Sequence, residues 1–262
     1  MSSRTALVTG ATSGIGAAFA RRLAADGFDL VIVARDAQRL SDAAAALTQA
    51  HGVAVEALAA DLTTDGGRES VADRLADPAR PVELLVNNAG LSLNKPFLHS
   101  TVARESELLH LNVHAVMHLT LAALPPMVGR GRGAVINVSS VAGFGAAMPG
   151  STYPASKAWV TNFSESVALS VAPLGVRVMA LCPGYVQTGM HARAGINMSK
   201  LPSRLWLDAD SVVADGLRDL ARGKVISVPD WKYKAAAFAL RHLPRRFIRL
   251  GARDTRGRIR PE

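Results

Sequence analysis

The chain predicts an α/β fold built on a doubly wound parallel β-sheet of about seven strands, and three observations carry that expectation. Seven short runs rich in Val, Ile and Leu fall at about residues 5–9, 29–34, 53–58, 82–87, 133–139, 175–181 and 224–228. Stretches with apolar residues at three- and four-residue steps lie between them, so strand and helix alternate throughout. Several runs, such as LVIVA at 30–34, are apolar without a break, as strands covered by helices on both faces must be. With 262 residues, 49% of them hydrophobic and 19% charged, the chain can bury a substantial core. No low-complexity insert or repeat interrupts it, so one domain is expected over 1–230, followed by a basic amphipathic tail over 231–262.

The first strand runs into TGATSGIG, with Gly10, Gly14 and Gly16 opening a helix. Glycines there permit a tight turn and let backbone amides approach a pyrophosphate, whose charge the helix start stabilises. Thr12, Ser13 and Ile15 complete the expected cofactor loop. The second strand ends VIVARD, placing Ala34 where a dinucleotide fold carries the ribose-binding carboxylate and Arg35 directly after it. A planar guanidinium suits a 2′-phosphate, so NADP(H) is expected in preference to NAD(H), although Asp36 stands adjacent.

Further along, Asn112 sits in a long helical stretch near 101–128, an unfavourable helix residue unless its amide is employed or it serves a local backbone kink. Ser139 and Ser140 end the fifth strand, at the carboxyl edge where such sheets bind ligands. Then comes STYPASK at 151–157. Proline is accepted only in the first turn of a helix, so a helix begins here, and Tyr153 and Lys157 become neighbours one turn apart. Trp159, Val160, Phe163, Val167 and Val171 continue it.

These segments, together with DL at 61–62, NNAG at 87–90, LNV at 111–113, NVSSVAG at 137–143 and CPGYVQT at 182–188, resemble the short-chain dehydrogenase/reductase family and its Rossmann-type fold. The resemblance implies hydride transfer between nicotinamide and a carbonyl carbon. Tyr153 is then the general acid/base, Lys157 its electrostatic partner and a ribose contact, Ser140 the hydroxyl on the substrate oxygen, and Asn112 the holder of a relay water. It also implies that Asp61, Leu62, Asn88, Ala89, Gly90, Pro183, Gly184, Val186 and Thr188 line the cofactor, that Asn87 braces the sheet and that Ser139 is structural. No metal is expected. A sensor or scaffold that binds NADP without turnover is the alternative, against which stand all four intact catalytic positions.

Residues 189–207 read as a lid over the substrate, with Met190, Ile196, Met198, Leu201, Leu205, Trp206 and Leu207, or else as a cap on the core or on a subunit contact. With Leu91, Phe144 and Met148 they point to a hydrophobic ketone or secondary alcohol of lipid-, 3-oxoacyl- or steroid-like character.

The net charge of +9 lies wholly in the tail: residues 222–262 hold twelve Lys or Arg against three Asp or Glu, while residues 1–221 hold eighteen of each. A basic tail without an aromatic reading surface argues against nucleic acid. Ala236, Ala239, Leu243, Phe247 and Leu250 form a helical stripe beside Lys234, Arg241, Arg245 and Arg249, fit for an anionic membrane surface or for subunit or core packing. The best transmembrane candidate, about 110–128, is interrupted by His110, Asn112, His114 and His118, so no span is expected. One cysteine and no secretory pattern lead to a cytoplasmic expectation, and the apolar helix at 155–171 to a homodimer or homotetramer.

Overall fold

The computed structural model describes residues 4–93, 97–145, 152–188, 202–244, 246 and 248. Strands β1 (Arg4–Thr9), β2 (Phe28–Ala34), β3 (Val55–Ala59), β4 (Leu84–Asn87), β5 (Gly133–Val138), β6 (Val176–Leu181) and β7 (Ile226–Ser227) form one sheet in the order 3-2-1-4-5-6-7. Every pairing is parallel, Ala6 opposite Leu30 on one side and Leu84 on the other. The order reverses between β1 and β4, and the carboxyl ends of strands flanking such a reversal open a crevice.

Helices α1 (Gly14–Ala25), α2 (Ala37–His51), α3 (Asp65–Ala76), α4 (Val102–Leu109), α5 (Ala115–Gly129), α6 (Tyr153–Val171), α7 (Ala209–Ala221) and α8 (Trp231–His242) complete the described elements. Alternate strand residues serve opposite faces. Ala6 and Val8 of β1 join Phe19, Leu23, Leu40 and Val212 in one core, while Leu7 joins Leu75, Leu119, Met127 and Ala168 in the other. Burial of each such large apolar side chain contributes about 1.5–3 kcal/mol, enough for both layers to hold the sheet between them.

The helical run Val102–Gly129 is 28 residues long, with an 18-residue stretch of mean hydropathy 1.3, which by length and composition would suffice to cross a membrane. Here it is a layer of the fold: Leu108, Ala115, Leu119, Ala123 and Met127 are buried, and α5 packs on α3 and β5. The single helix expected near 101–128 is interrupted by a π-helical turn, His110–His114, which turns Asn112 fully inward.

The expected boundary at residue 230 falls directly before α8, whose Tyr233 and Ala237 are buried against the domain. The side turned to the domain is Tyr233–Ala237, with the Tyr233 ring seated on Gly184, while of the stripe read from the sequence Ala236 is exposed and Ala239 partly buried. Leu243 is half exposed, and Phe247 and Leu250 lie outside the described residues.

Candidate active site

At the β1–β4 reversal the cofactor loop is shaped by what it lacks. Gly10 and Gly14 adopt left-handed φ angles of 67° and 57°. A Cβ on Gly16 would stand 2.2 Å from the Gly10 carbonyl oxygen, so only glycine lets α1 approach β1 this closely. One on Gly14 would meet the Thr188 methyl at 2.8 Å, which brings the loop after β6 against the cofactor turn. Asn88 secures the arrangement by donating its side-chain amide to Thr9 O at 2.9 Å, while the Thr9 hydroxyl receives the Asn88 and Ala89 amides. Helices α2, α3, α4 and α7 are each capped by a side chain accepting a first-turn amide; Ser13, the N-cap of α1, makes no such bond. A ligand oxygen can therefore take the first-turn amides of α1.

The crevice is lined by Gly10, Thr12, Ser13, Arg35, Asp61, Leu62, Ala89 and Gly90, all expected cofactor residues, and also by Arg39. Asp36 also lines the crevice, and its carboxylate caps α2 by accepting the Arg39 backbone amide at 3.0 Å. Arg35 and Arg39 are exposed and make no ion pair among the described residues. Sequence reasoning missed Arg39; its signal was a second arginine four residues after the first. Asp61 is held by the Thr63 amide and hydroxyl, at 3.0 and 2.7 Å. Ile15, Leu62 and Val186 pack their side chains into the two cores.

Helix α6 brings up Tyr153 and Lys157, and its buried face is half polar: Ser156, Lys157, Thr161 and Ser164 lie inward beside Val160, Ala168 and Val171. The apolar series read from the sequence thus describes only part of what α6 buries. Lys157 is 5% exposed, its ammonium donates to Val138 O at 2.8 Å, and it stands 5.8 Å from the Tyr153 ring centre. Burial lowers its pKa from 10.5 to about 8. Ser139 turns into α6, donating to Lys157 O at 2.7 Å beside the Thr161 hydroxyl, whereas Ser140, partly exposed, caps a 3₁₀ turn, Val141–Phe144. A Cβ on Gly143 would touch the Lys157 carbonyl carbon at 2.7 Å, so that turn lies directly on α6. Cys182, buried near Thr161, has its thiol pKa pushed up to about 11 by burial.

Asn112 brackets the backbone of Leu91, accepting its amide and donating to its carbonyl, both at 2.9 Å, and donates to the Ser156 hydroxyl at 3.2 Å. Gly90 separates Asn112 from Lys157: a Cβ there would be 3.1 Å from the Asn112 oxygen and 3.6 Å from the ammonium. Asn87 donates to Thr120 and Asn137, tying β4 to α5 and β5.

Two further contacts were invisible in the sequence. Glu105, buried on α4, accepts the Thr152 amide at 3.1 Å and hydroxyl at 2.6 Å, latching the residue just before Tyr153. Burial would raise the Glu105 carboxyl, but hydrogen bonds from Ser100 and Thr152 outweigh it and hold the pKa below the usual value. Tyr233 lays its ring over Gly184, where a Cβ would clash at 2.1 Å; its hydroxyl accepts the Tyr185 amide at 3.1 Å and donates to Leu205 O at 2.6 Å. The loop holding Pro183, Gly184, Val186 and Thr188 is thereby clamped from the end of the chain, and Pro183 O accepts the Val141 amide at 3.0 Å. Of the expected lid, only 202–207 is described, a 3₁₀ turn followed by a bridge between Leu207 and Val186. Residues 189–201 and Met148 lie outside the described residues.

A family model described as short chain dehydrogenase matches residues 4–198. The chain belongs to the short-chain dehydrogenase family. Its chemistry is accordingly oxidoreduction at alcohol and carbonyl groups. A short-chain dehydrogenase from Sphingobium yanoikuyae, solved in complex with NADPH, is 39% identical with a TM-score of 0.85, over 90% of this chain and 92% of that one. The bulky-bulky ketone specific alcohol dehydrogenase from Comamonas testosteroni is 29% identical with a TM-score of 0.80, over 94% and 90%. The ketoacyl reductase HetN of Nostoc is 32% identical over 202 residues, 77% of this chain and 70% of that protein.

Proposed function

We propose that this short-chain dehydrogenase is an NADP(H)-dependent oxidoreductase acting on hydrophobic ketones or secondary alcohols, with Tyr153 as its general acid/base. The observation that carries the reading is the buried Lys157 ammonium, held one helical turn from Tyr153 where the cofactor crevice ends at Gly90. A cation there stabilises the phenolate and so brings a group with an ordinary pKa near 10 into useful range at neutral pH.

The crevice fits the cofactor on its own terms. Gly10, Gly14 and Gly16 leave a cradle that any side chain would fill, and the start of α1 at Gly14 directly follows Ser13, which lines the crevice. Arg35 and Arg39 offer two guanidiniums to a phosphate on the adenosine ribose, which favours NADP(H) over NAD(H). When bound, NADP(H) supplies or takes up the hydride. Tyr153 gives a proton to, or removes one from, the substrate oxygen. The Ser140 hydroxyl donates to that same oxygen and stabilises its developing charge. Asn112 supports the relay indirectly, by fixing Leu91 and Ser156 with only Gly90 between its own oxygen and the ammonium.

The names of the bulky-ketone and ketoacyl relatives agree with a large apolar substrate. Phe144, at the end of the turn that Ser140 caps, and the Tyr185–Trp206 ring pair add to that support. The stacked Trp159–Phe163 pair and the exposed Leu169 on α6 further support a homodimer or homotetramer.

A carbonyl panel followed by NADPH absorbance tests the reading. Apolar ketones should turn over with NADPH and far more weakly with NADH, and Tyr153→Phe should lower kcat by roughly 10²–10⁴ while NADPH still binds. Preference for small charged keto acids would overturn the substrate class. Undiminished turnover in Tyr153→Phe would overturn the acid, and NADPH binding without any turnover would favour a sensor.

A further inference from the structure

We infer that α8 is a docking element for an anionic lipid surface. Its orientation is dictated by Tyr233, whose ring covers Gly184 and whose hydroxyl bonds the backbone on both sides of it. With Tyr233 and Ala237 locked inward, helical geometry sends Trp231, Ala235, Phe238 and His242 directly outward. Trp231 is 72% exposed and Phe238 66%, seven residues and two turns apart on the same line, and Leu243 follows at 50%. Large aromatics facing water in register, on a helix that already has a packed apolar side, have no role in the core of this domain.

Charge complementarity decides the occupant. Lys234 lies along one flank of that outward face, Arg241 on the same flank turns back to Glu165 at 3.5 Å and to the Phe144 ring, and the chain from 245 to 262 adds seven arginines against one aspartate and one glutamate. Trp and Phe anchors bordered by cations match the headgroup boundary of an anionic bilayer, where a few aromatic insertions suffice when basic residues supply the rest. Three exposed apolar side chains are far less than a stable protein interface buries. Through Tyr233 and the stacking of Arg241 on Phe144, 5.3 Å apart, α8 also rests on the loops that flank Ser140, so docking would bring the substrate side of the domain to the lipid. The inference does not depend on the proposed chemistry.

Co-sedimentation of the full chain with extruded vesicles tests it, comparing phosphatidylcholine alone with phosphatidylcholine containing phosphatidylglycerol. The protein should partition onto the anionic vesicles only, be released by high salt, and lose roughly tenfold in partitioning when Trp231→Ser and Phe238→Ser are combined. Both side chains are exposed, so the variant should keep its thermal midpoint and NADPH binding. Unchanged partitioning in the double variant would overturn the inference, since the arginines would then act without α8. So would a fall in oligomeric mass of that variant without vesicles, which would assign the face to a second copy of the chain. Binding to a single-stranded oligonucleotide in place of vesicles would overturn it too.

Discussion

On the β1–β4 side of the sheet the ligand-facing surface is mostly backbone: glycine-enforced turns, the first-turn amides of α1, and two arginines at the rim. On the β5–β6 side it is held from beneath by buried side chains brought in from distant segments. Lys157 comes from α6, Asn112 from a π turn, Glu105 from α4 and Tyr233 from α8. The first region needs only short-range geometry and tolerates almost no added volume. The second holds buried polar groups whose cost is offset only if every partner arrives. Backbone-built and side-chain-supported surfaces thus lie at different ends of the same sheet edge.

Replacing Lys157 should separate the two regions most sharply. Lys157→Met should cut turnover by roughly 10²–10⁴. Yet at pH 7 it removes a buried cation whose depressed pKa, about 8 against 10.5, corresponds to roughly 3 kcal/mol of charging cost. Denaturant melts at pH 7 should show the variant more stable by about 1–3 kcal/mol. Between pH 8 and 10.5 the unfolded chain holds a proton that the folded chain has released, so wild-type stability should rise across that window. The variant should lack that rise, and a wild-type profile flat from 8 to 10.5 would show that the ammonium is not buried in solution.

Gly16→Ala strikes the backbone-built region. With a Cβ 2.2 Å from a carbonyl oxygen, it should lower the unfolding free energy by about 1–3 kcal/mol and weaken NADPH binding, readable by melting with and without cofactor. The rim should respond more gently. Combining Arg35→Ser with Arg39→Ser should raise the KM for NADPH by roughly 10- to 100-fold and leave that for NADH within about twofold, because only the phosphate contact is lost.

Smallest of all should be Tyr233→Phe, which keeps the ring over Gly184 and deletes two hydrogen bonds. A loss of about 1–2 kcal/mol in stability is expected, with a rise in substrate KM exceeding that in NADPH KM. Equal effects on both would mean that the clamp serves the whole loop rather than its substrate side.

How much of this was readable beforehand follows the same division. The strands fell within a few residues of their observed ends, and Gly10, Arg35, Asp61 and Gly90 share one crevice, because local turns and apolar runs are written in consecutive residues. Arg39 was overlooked although only four residues separate it from Arg35; a helical turn carries it back to Thr12 O, at 3.5 Å. The polar inner face of α6 was masked by its apolar residues. Ser164 meets Asn137 at 3.0 Å and Thr161 meets Ser139 at 2.8 Å, pairings that no periodicity announces.

By itself the sequence determined the alternation of strand and helix, the turn that glycine alone permits and the one-turn spacing of Tyr153 and Lys157, since each depends on backbone geometry over a few residues. Tertiary structure decided the rest. The burial that depresses the Lys157 pKa, the Glu105 latch on Thr152 and the Tyr233 clamp each require groups far apart in the chain to meet in a low-dielectric interior. Desolvation and hydrogen-bond geometry are properties of that meeting, not of any residue alone.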